Sequence, residues 1–380
     1  MMKKKTVAIV INTSWNIFNF RLGLLKALQE EGYRIVAVAP RDDYSEKLEA
    51  LGFEYHEIKM NNKGTNPVED AKLVYDFYRL YKKLSPDVIL QYTIKPNIYG
   101  SMAAGMLGIP VVSNISGLGT VFLNDGLSSK IARMLYKIAL RVPKKVFYQN
   151  AHDRELFVQS KLVKEAKTDL LPGSGIDTDT FKPLTDVKKD PEVVRFLFIA
   201  RLVKDKGLAE FVEAARIIKN LEFTMNTYKK PEFHILGAYY PGNPTAITES
   251  EMRVWEEEGS VAYIGTSDDV QSVIAEADCV VLPSYREGLS RVLLEAASMA
   301  KPIITTNVPG CKEVVDEGIN GYLCEVKDAN SLAEQMKKMM LLSDDERRGM
   351  GKKGREKVMK EFDEKIVIEK YKKTIAELCS

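Results

Sequence analysis

The same alternation of strand and helix patterns occurs twice along this chain of 380 residues. TVAIVIN (6–12), a β-rich apolar run, is followed by a helical pattern and a second apolar run, RIVAVAP (34–40). After residue 190 the series begins again with VRFLFIARL, a helical LAEFVEAARIIKN and several further strand-like runs. Two such series predict an α/β protein built from two doubly wound parallel-sheet domains.

A polar segment interrupted by proline, FKPLTDVKKDPE (181–192), predicts the join between the two domains. We therefore expect an N-terminal domain over 1–183 and a C-terminal domain over 184–361. The remaining residues, 362–380, have a helical pattern whose apolar side chains need a surface to cover, and the first domain is the candidate surface.

Composition and spacing exclude several classes of protein. The four cysteines have no CxxC spacing and no signal-peptide pattern precedes them, which favours a cytoplasmic chain over a secreted disulfide framework. No apolar run reaches the roughly 18 to 20 residues that span a bilayer. A dinucleotide fingerprint is absent from both first turns, and the three histidines lack ligand spacing, so we expect no bound metal or cofactor. The acids of GIDTDTF (174–181 region) are assigned to capping.

Charge is distributed unevenly between the halves of the chain. Residues 1–184 carry 26 basic and 19 acidic residues, whereas residues 185–380 carry 29 and 34. A basic first half suits phosphates, nucleic acid or an anionic membrane surface. Because no zinc knuckle and no basic run with interleaved aromatics occurs, we expect no nucleic-acid partner.

Two loops of the second domain contain the residues best suited to bind a phosphorylated ligand. FIARLVKDKG places Arg201 and Lys206 directly after a strand, at the end of the sheet where ligands bind, and cations there can hold a diphosphate. Solvated charges in a turn are the alternative, and it has most weight for Lys204.

The second loop, PSYREGLSRVLLEA, also follows a strand. After Glu287, the amides of Gly288, Leu289 and Ser290 begin a helix and can donate to phosphate oxygens. Glu287 could equally be a helix-terminus acid favoured by the helix dipole. Glu295 lies among small and apolar neighbours, where a carboxylate needs a partner such as a pair of ligand hydroxyls.

The block from DVQSVIAEADCVVLPSYREGLSRVLLEA to GINGYL resembles the catalytic domain of family-4 retaining nucleotide-sugar glycosyltransferases, and ARLVKDKG and GSGIDTDTF match two further motifs of that family in order. The resemblance is close over 170–380 and loose before it. It implies the GT-B fold, in which two Rossmann-like domains face each other across a cleft, and a UDP-sugar as the donor substrate.

The resemblance also implies roles for single residues. Arg201 and Lys206 would bind the donor diphosphate, and Glu287 would hold hydroxyls of the transferred sugar. Glu295 would accept hydrogen bonds from the ribose. The remaining donor-side residues are then Gly237, Gly288, Leu289 and Ser290. A UDP-sugar 2-epimerase of the same fold and a nonenzymatic sugar-nucleotide-binding protein remain as alternatives.

The first domain is expected to bind the acceptor. FNFR, KPNIYG and SGLG resemble bacterial transferases that extend undecaprenyl-diphosphate-linked sugars in protein glycosylation, O-antigen or capsule assembly. The candidate acceptor-side residues lie in the loops after the strands, and Trp15 could instead cover the core. They are Ser14, Trp15, Arg21, Lys95, Asn97 and Gly117.

A basic stripe over 127–145 is typical of a helix that lies on an anionic membrane surface. Its cations recur every three or four residues beside Ile131, Leu135 and Ile138. A solvated face of an ordinary helix is the alternative. With the lipid-linked acceptor, this stripe predicts a cytoplasmic protein held peripherally on the inner face of the membrane through Lys130, Arg133, Lys137, Arg141 and Lys144.

Overall fold

The structure, a computed structural model, describes residues 4–61, 66–118, 126–185, 187–222 and 229–379. The chain divides into two compact units, one formed by Met1–Ser174 with Glu364–Ser380 and the other by Gly175–Asp363. This division precedes the expected join at 183/184. Ile176 forms a parallel bridge with Asp363, and Thr178 Oγ1 donates to Asp363 Oδ2 at 2.6 Å, so the residues after Ser174 pack with the second unit.

In the described part of the first unit, seven strands form one parallel sheet in the order β3-β2-β1-β4-β5-β6-β7. β1, β4 and β5 are buried along their whole length because helices cover both faces, which is why they read as continuous apolar runs. The strands are β1 (Thr6–Val10), β2 (Arg34–Ala39), β3 (Glu54–Glu57), β4 (Val88–Tyr92), β5 (Val111–Ile115), β6 (Lys145–Tyr148) and β7 (Thr168–Leu170).

The helices of the first unit include the last helix of the chain. Its residue Tyr371 is buried, packs edge-on against Phe147 with ring centres 5.2 Å apart, and accepts a hydrogen bond from Asn114 Nδ2 at 3.0 Å. The helices are α1 (Ser14–Glu30), α2 (Asp43–Ala50), α3 (Pro67–Leu84), α4 (Ser101–Leu107), α5 (Leu127–Ala139), α6 (Ala151–Gln159) and α13 (Glu364–Cys379), with a π-helical turn at Pro96–Gly100.

In the described part of the second unit, six parallel strands are arranged in the order β10-β9-β8-β11-β12-β13. The strands are β8 (Val193–Ile199), β9 (Lys230–Leu236), β10 (Ala262–Tyr263), β11 (Cys279–Leu282), β12 (Ile303–Thr306) and β13 (Gly321–Cys324). The helices are α7 (Leu208–Glu222), α8 (Glu249–Glu257), α9 (Val270–Glu276), α10 (Arg291–Ser298), α11 (Ala329–Leu341) and α12 (Asp344–Glu361).

Strand order reverses at the same place in both sheets. β4 pairs with β1 in the first sheet, and β11 pairs with β8 in the second, with Cys279 opposite Phe196. The loops that leave the carboxyl ends of these neighbouring strands diverge above the sheet, and open α/β sheets bind ligands in that crevice. The predicted architecture of two Rossmann-like parallel sheets is therefore confirmed, and its two reversal points locate the candidate sites.

Strands β3, β6 and β7 were not predicted from the sequence pattern. Each has only three or four residues, and each lies toward an edge of the sheet, where a short polar strand has weak periodicity. Among the described helices, none combines the length and the apolar character needed to cross a bilayer.

Candidate functional site

The turn after β8 is fastened to the loop after β11. A short 3₁₀ turn at Lys204–Lys206 follows β8, and Asp205 O accepts hydrogen bonds from the Tyr285 amide at 2.9 Å and from Ser284 Oγ at 3.3 Å. These bonds exist because β8 and β11 are adjacent, so their carboxyl ends deliver both loops to one place. Lys206 is thereby held opposite Glu287.

Lys206 and Glu287 form an ion pair, with Lys206 Nζ donating to Glu287 Oε1. Their side chains are only 18% and 15% exposed, so each charge is largely desolvated and depends on the other for compensation. A phosphate group arriving beside Lys206 can replace the carboxylate as its partner. The two residues assigned to donor binding are therefore neighbours in the unliganded chain.

The backbone around Glu287 is fixed by the loop after β12. The Glu287 amide donates to Pro309 O at 3.1 Å, and the Ser290 amide donates to Gly310 O at 2.8 Å. Gly310 has φ +84°, and a Cβ there would lie 2.2 Å from Glu287 O, so only glycine fits. Gly288, Leu289 and Ser290 thus occupy a rigid segment between Glu287 and α10.

The amide of Ser290 is consequently engaged by Gly310 instead of being open to a phosphate, as the sequence had predicted. Ser290 is also the N-cap residue of α10, yet its side chain makes no capping hydrogen bond. The amides at the start of α10 therefore have no side-chain cap, and an anion there would be favoured by the helix dipole. The predicted anion position moves from Gly288–Ser290 into the first turn of α10.

Glu295 has a partner that the sequence reading overlooked. Arg291 Nε donates to Glu295 Oε1 at 2.9 Å from one helical turn earlier, and Arg291 Nη1 lies 3.5 Å from Gly175 O. Burial raises the pKa of Glu295, and the neighbouring guanidinium of Arg291 opposes that rise. The spacing of four residues within a helix was the available signal for this pair.

Arg201 and Gly237 lie at the carboxyl ends of β8 and β9. The guanidinium of Arg201 is exposed and lies 5.0 Å from the ring centre of Tyr240, a cation–π contact. Gly237 donates to Gly265 O at 2.8 Å and accepts from Tyr263 Oη at 2.9 Å. A Cβ on Gly237 would lie 1.8 Å from Ala200 O, so this glycine permits close packing of two strand ends.

Asp177 caps its own turn. Its Oδ1 accepts from the amides of Asp179 and Thr180 at 3.0 Å each, and its Oδ2 accepts from Thr180 Oγ1 at 2.6 Å. This arrangement confirms the structural role predicted for the acid pair. Within the described ranges, no three His, Cys, Asp or Glu side chains are grouped in a way that could hold a metal ion.

On the first unit, Ser14 and Trp15 begin α1 and differ sharply in exposure. Ser14 is fully buried, and its hydroxyl lies 3.1 Å from Pro40 O, 2.8 Å from Ser45 Oγ and 3.0 Å from Tyr55 Oη. This hydroxyl is a structural group of the helix start and not, as predicted, a contact for an acceptor. Trp15 is 44% exposed and packs edge-on against Phe20.

Arg21 is a buried cation with unused hydrogen-bonding capacity. It is 7% exposed, its guanidinium lies 4.6 Å from the ring centre of Tyr92, and Nη1 donates to Phe20 O at 2.7 Å. Its Nε has no hydrogen-bond partner among the described groups, and neither has Tyr92 Oη. Buried groups of this kind are uncommon and costly, which makes the surroundings of Arg21 a candidate for binding polar ligand atoms.

Lys95 and Asn97 lie at the π-helical turn after β4. Lys95 Nζ donates to Asp70 Oδ1 at 2.8 Å, and Tyr99 Oη donates to the other oxygen at 2.7 Å. Asn97 is 1% exposed and donates to Asn114 O at 2.8 Å, while its Oδ1 has no partner within the described residues. Asp70 carried no sequence signal because 25 residues separate it from Lys95.

Gly117 has φ +137°, a left-handed conformation that glycine adopts readily, in the loop after β5. The rest of that loop, beyond residue 118, lies outside the described residues.

The basic stripe is partly on α5. The outward face of α5 exposes Ile131, Met134 and Ile138, together with Lys130 and Lys137. Leu135, expected on the same face, instead packs against the core of the first unit. The exposed face of α5 is therefore mixed, with an apolar strip between cations.

Comparison with known families matches both units. The model described as "Glycosyl transferases group 1" matches residues 181–357, and the model described as "Glycosyl transferase 4-like" matches residues 6–150. The chain is 27% identical over 378 residues to the N,N'-diacetylbacillosaminyl-diphospho-undecaprenol alpha-1,3-N-acetylgalactosaminyltransferase of Campylobacter jejuni, covering 94% of this chain and 95% of that relative.

A second relative is the UDP-Gal:alpha-D-GlcNAc-diphosphoundecaprenol alpha-1,3-galactosyltransferase of Escherichia coli, with 26% identity over 70% of this chain and 69% of the relative. Among solved structures, Anabaena Alr3699/HepE in complex with UDP and glucose has a TM-score of 0.77 at 17% identity, covering 98% of this chain and 100% of that one. Sucrose-phosphate synthase from Thermosynechococcus elongatus has a TM-score of 0.79 at 18% identity, covering 99% of both chains, so both likenesses establish the fold. The chain is a glycosyltransferase enzyme of the GT-B fold and belongs to the family with a 4-like first domain and a group 1 second domain.

Proposed function

We propose that this enzyme transfers a hexose or N-acetylhexosamine from a UDP-sugar to an undecaprenyl-diphosphate-linked glycan, with retention of the anomeric configuration. The observation that carries the proposal is the pairing of Lys206 with Glu287 where β8 and β11 end. A cation and an acid held together at the reversal point of an α/β sheet suit a ligand that carries both phosphates and hydroxyls.

On the donor side, Lys206 and Arg201 neutralise the negative charge that develops on the departing diphosphate. Glu287, released from Lys206, accepts hydrogen bonds from hydroxyls of the transferred sugar. The uncapped first turn of α10 adds amide donors toward the phosphates. Glu295 accepts hydrogen bonds from the ribose hydroxyls, with Arg291 holding its carboxylate in place.

The chemistry proposed needs neither a metal nor a protein nucleophile. A nucleoside diphosphate is already a good leaving group, so neutralising its charge is the main task for these residues. Attack from the same face as the departing diphosphate, with a phosphate oxygen receiving the proton of the acceptor hydroxyl, forms the new glycosidic bond as the old one breaks. The configuration at the sugar carbon is thereby retained.

The acceptor class is supported by the printed activities of the Campylobacter and Escherichia relatives, both of which name a diphosphoundecaprenol-linked sugar. In the first unit, Arg21 and Asn97 retain buried hydrogen-bonding atoms that polar acceptor groups could satisfy. Trp15, Lys95 and Gly117 are retained as acceptor-side residues of this proposal.

Peripheral attachment to the inner face of the cytoplasmic membrane is the remaining part of the proposal. The exposed strip of Ile131, Met134 and Ile138, flanked by cations, suits a helix lying in the interface of an anionic leaflet. Co-sedimentation with vesicles of phosphatidylglycerol and phosphatidylcholine tests it. Replacing all five stripe cations with glutamine should abolish binding, and unchanged binding would exclude this route of attachment. The five are Lys130, Arg133, Lys137, Arg141 and Lys144.

The deciding experiment incubates the enzyme with a set of labelled UDP-sugars, with and without a polyprenyl-diphosphate-linked sugar. We expect a lipid-linked product only when the acceptor is present, and NMR of that product should show the anomeric configuration of the donor. An epimerised donor formed without acceptor would instead identify a UDP-sugar 2-epimerase. Binding of the UDP-sugar with neither reaction would identify a nonenzymatic sugar-nucleotide-binding protein.

A further inference from the structure

The first unit contains a cationic cavity of about 690 Å³ beside the C-terminal end of α5. Five basic residues line it, contributed by the end of α5 and by the segment after α6. Its floor is apolar and includes Val158 and Leu162. The basic residues are Lys137, Arg141, Lys161, Lys164 and Lys167.

The positive charge of this cavity is not neutralised by its own lining. Glu165 is the one acidic residue that lines it, and this carboxylate is 3.1 Å from Arg154 Nη2. Lys167 Nζ donates to Arg141 O at 2.6 Å, which leaves its charge without a carboxylate partner among the described residues. Burial lowers the pKa of Lys167, and the neighbouring charges of Lys144 and Lys164 lower it further, as expected where cations are crowded.

The cavity is continuous with the exposed face of α5. Lys137 belongs both to that face and to the cavity lining, and Arg141 follows directly after the helix. The apolar strip of Ile131, Met134 and Ile138 lies along the preceding turns. An apolar strip that leads into a cationic cavity with an apolar floor matches the two parts of a phospholipid, its acyl chain and its phosphate.

We propose that this cavity binds the phosphodiester head group of one anionic phospholipid, with the acyl chains directed along the apolar strip of α5. The proposal rests on the membrane attachment given under the proposed function, and it adds a discrete site formed by Lys161, Lys164 and Lys167. Charge complementarity supports the head group, and the apolar floor and strip favour a lipid over a free phosphate ion.

The first test compares two triple variants of equal charge change. Lys161, Lys164 and Lys167 are changed together to glutamine, and the control carries Lys72→Gln, Lys82→Gln and Lys83→Gln on the exposed face of α3. Binding is measured by flotation with vesicles containing equal parts of phosphatidylglycerol and phosphatidylcholine. We expect the cavity variant to bind about 10- to 100-fold more weakly than the wild type, and the control to bind nearly as the wild type does. Equal loss in both variants would show attraction by net charge alone and overturn the site.

The second test uses a soluble probe, a short-chain phosphatidylglycerol below its micelle concentration. Calorimetry should give saturable binding of one lipid per chain to the wild type, and none of the matching phosphatidylcholine. Val158→Trp fills the cavity floor without changing charge, and circular dichroism checks that it folds. Loss of the soluble lipid in this variant supports the cavity, whereas unchanged binding contradicts it. Inorganic phosphate binding as tightly as the lipid would also contradict it.

Failure of this site and failure of the proposed reaction are separable. Sugar transfer to a water-soluble acceptor analogue needs no vesicle, so the cavity variant should keep wild-type turnover in that assay. A wild-type enzyme that transfers sugar but ignores phosphatidylglycerol refutes the lipid site alone. One that binds the lipid but transfers no sugar refutes the proposed function alone.

Discussion

The loops after β8 and β11 and the loops after β1 and β4 occupy equivalent places in the two sheets, yet their polar residues are used differently. In the second unit, Lys206 and Glu287 are partly exposed and bind each other. In the first unit, Ser14 is fully buried and bonded to its own fold, and Arg21 is 7% exposed. One set pairs charges that can change partners, and the other is largely built into the fold.

This difference separates two ways of preparing a site for a polar ligand. An ion pair between two ligand-binding groups protects both charges before the ligand arrives, and a phosphate with a sugar hydroxyl can then replace each partner. A buried hydroxyl that already has internal partners cannot be redirected without loss of stability. Substitutions in the second unit should therefore change catalysis, whereas Ser14 in the first should govern stability.

Lys206→Ala should have the largest effect. It removes the cation beside the departing diphosphate, so we expect kcat/KM to fall by about 100- to 1000-fold. UDP affinity, measured by calorimetry, should weaken by roughly 10-fold or more, since a charge-assisted hydrogen bond is lost.

Lys204→Ala provides the matched control for Lys206→Ala. Lys204 is in the same turn, but its side chain is 54% exposed and lies 3.6 Å from Glu251. This variant should keep near wild-type UDP affinity and turnover. If Lys206→Ala bound UDP as tightly as the wild type, Lys206 would not contact the diphosphate.

Glu287→Ala should come next in magnitude, with a different kinetic signature. If Glu287 contacts the transferred sugar and not UDP, kcat should fall by about 10- to 100-fold while UDP affinity changes by less than about 3-fold. Calorimetry with UDP and steady-state kinetics with the UDP-sugar measure the two quantities on the same preparation. A loss of UDP affinity as large as that of Lys206→Ala would instead make Glu287 a support for the lysine.

The fold could be predicted from the sequence because a fully covered parallel strand reads as an uninterrupted apolar run. TVAIV became β1 and CVVL became β11, and the two βα series gave the two parallel sheets. The boundary at Ser174 could not be read in this way. It depends on the contact of Thr178 with Asp363, and a hydrogen bond between residues so distant in sequence leaves no periodic pattern.

The candidate site was predictable to a similar extent. Placement after a strand was sufficient to select Lys206 and Glu287, because sheet topology brings such loops together. Exposure was not predictable, since Ser14 and Trp15 are adjacent in sequence and only Trp15 faces outward. The Ser290 amide was misassigned because its partner, Gly310, arrives from a separate loop.

Arg291→Gln should give a smaller change that depends on pH. Burial raises the pKa of Glu295 and Arg291 opposes that rise, so removing the guanidinium should raise this pKa further. If the ionised carboxylate accepts from the ribose, UDP affinity falls as pH falls through the pKa of Glu295, and in the variant this loss should begin at a higher pH. We expect UDP to bind about 3- to 10-fold more weakly near neutral pH, with recovery in alkaline buffer.

Calorimetry over a pH series measures this shift, and Arg291→Lys is the control because it keeps the positive charge. A loss of affinity equal at every pH would mean that Arg291 acts by shape or by its contact with Gly175, and not through the ionisation of Glu295.

Ser14→Ala should show the smallest kinetic effect and thereby test the first unit's side of the comparison. The substitution removes a fully buried hydroxyl that contacts Ser45 Oγ and Tyr55 Oη, so the free energy of unfolding should fall by about 1 to 2 kcal/mol. Because the methyl group of alanine fits where the serine Cβ already lies, the backbone at the start of α1 should stay in place. The KM for the acceptor and the affinity for UDP should then equal those of the wild type. Denaturant unfolding and acceptor kinetics decide the matter together, since a raised acceptor KM with unchanged stability would return Ser14 to the acceptor site.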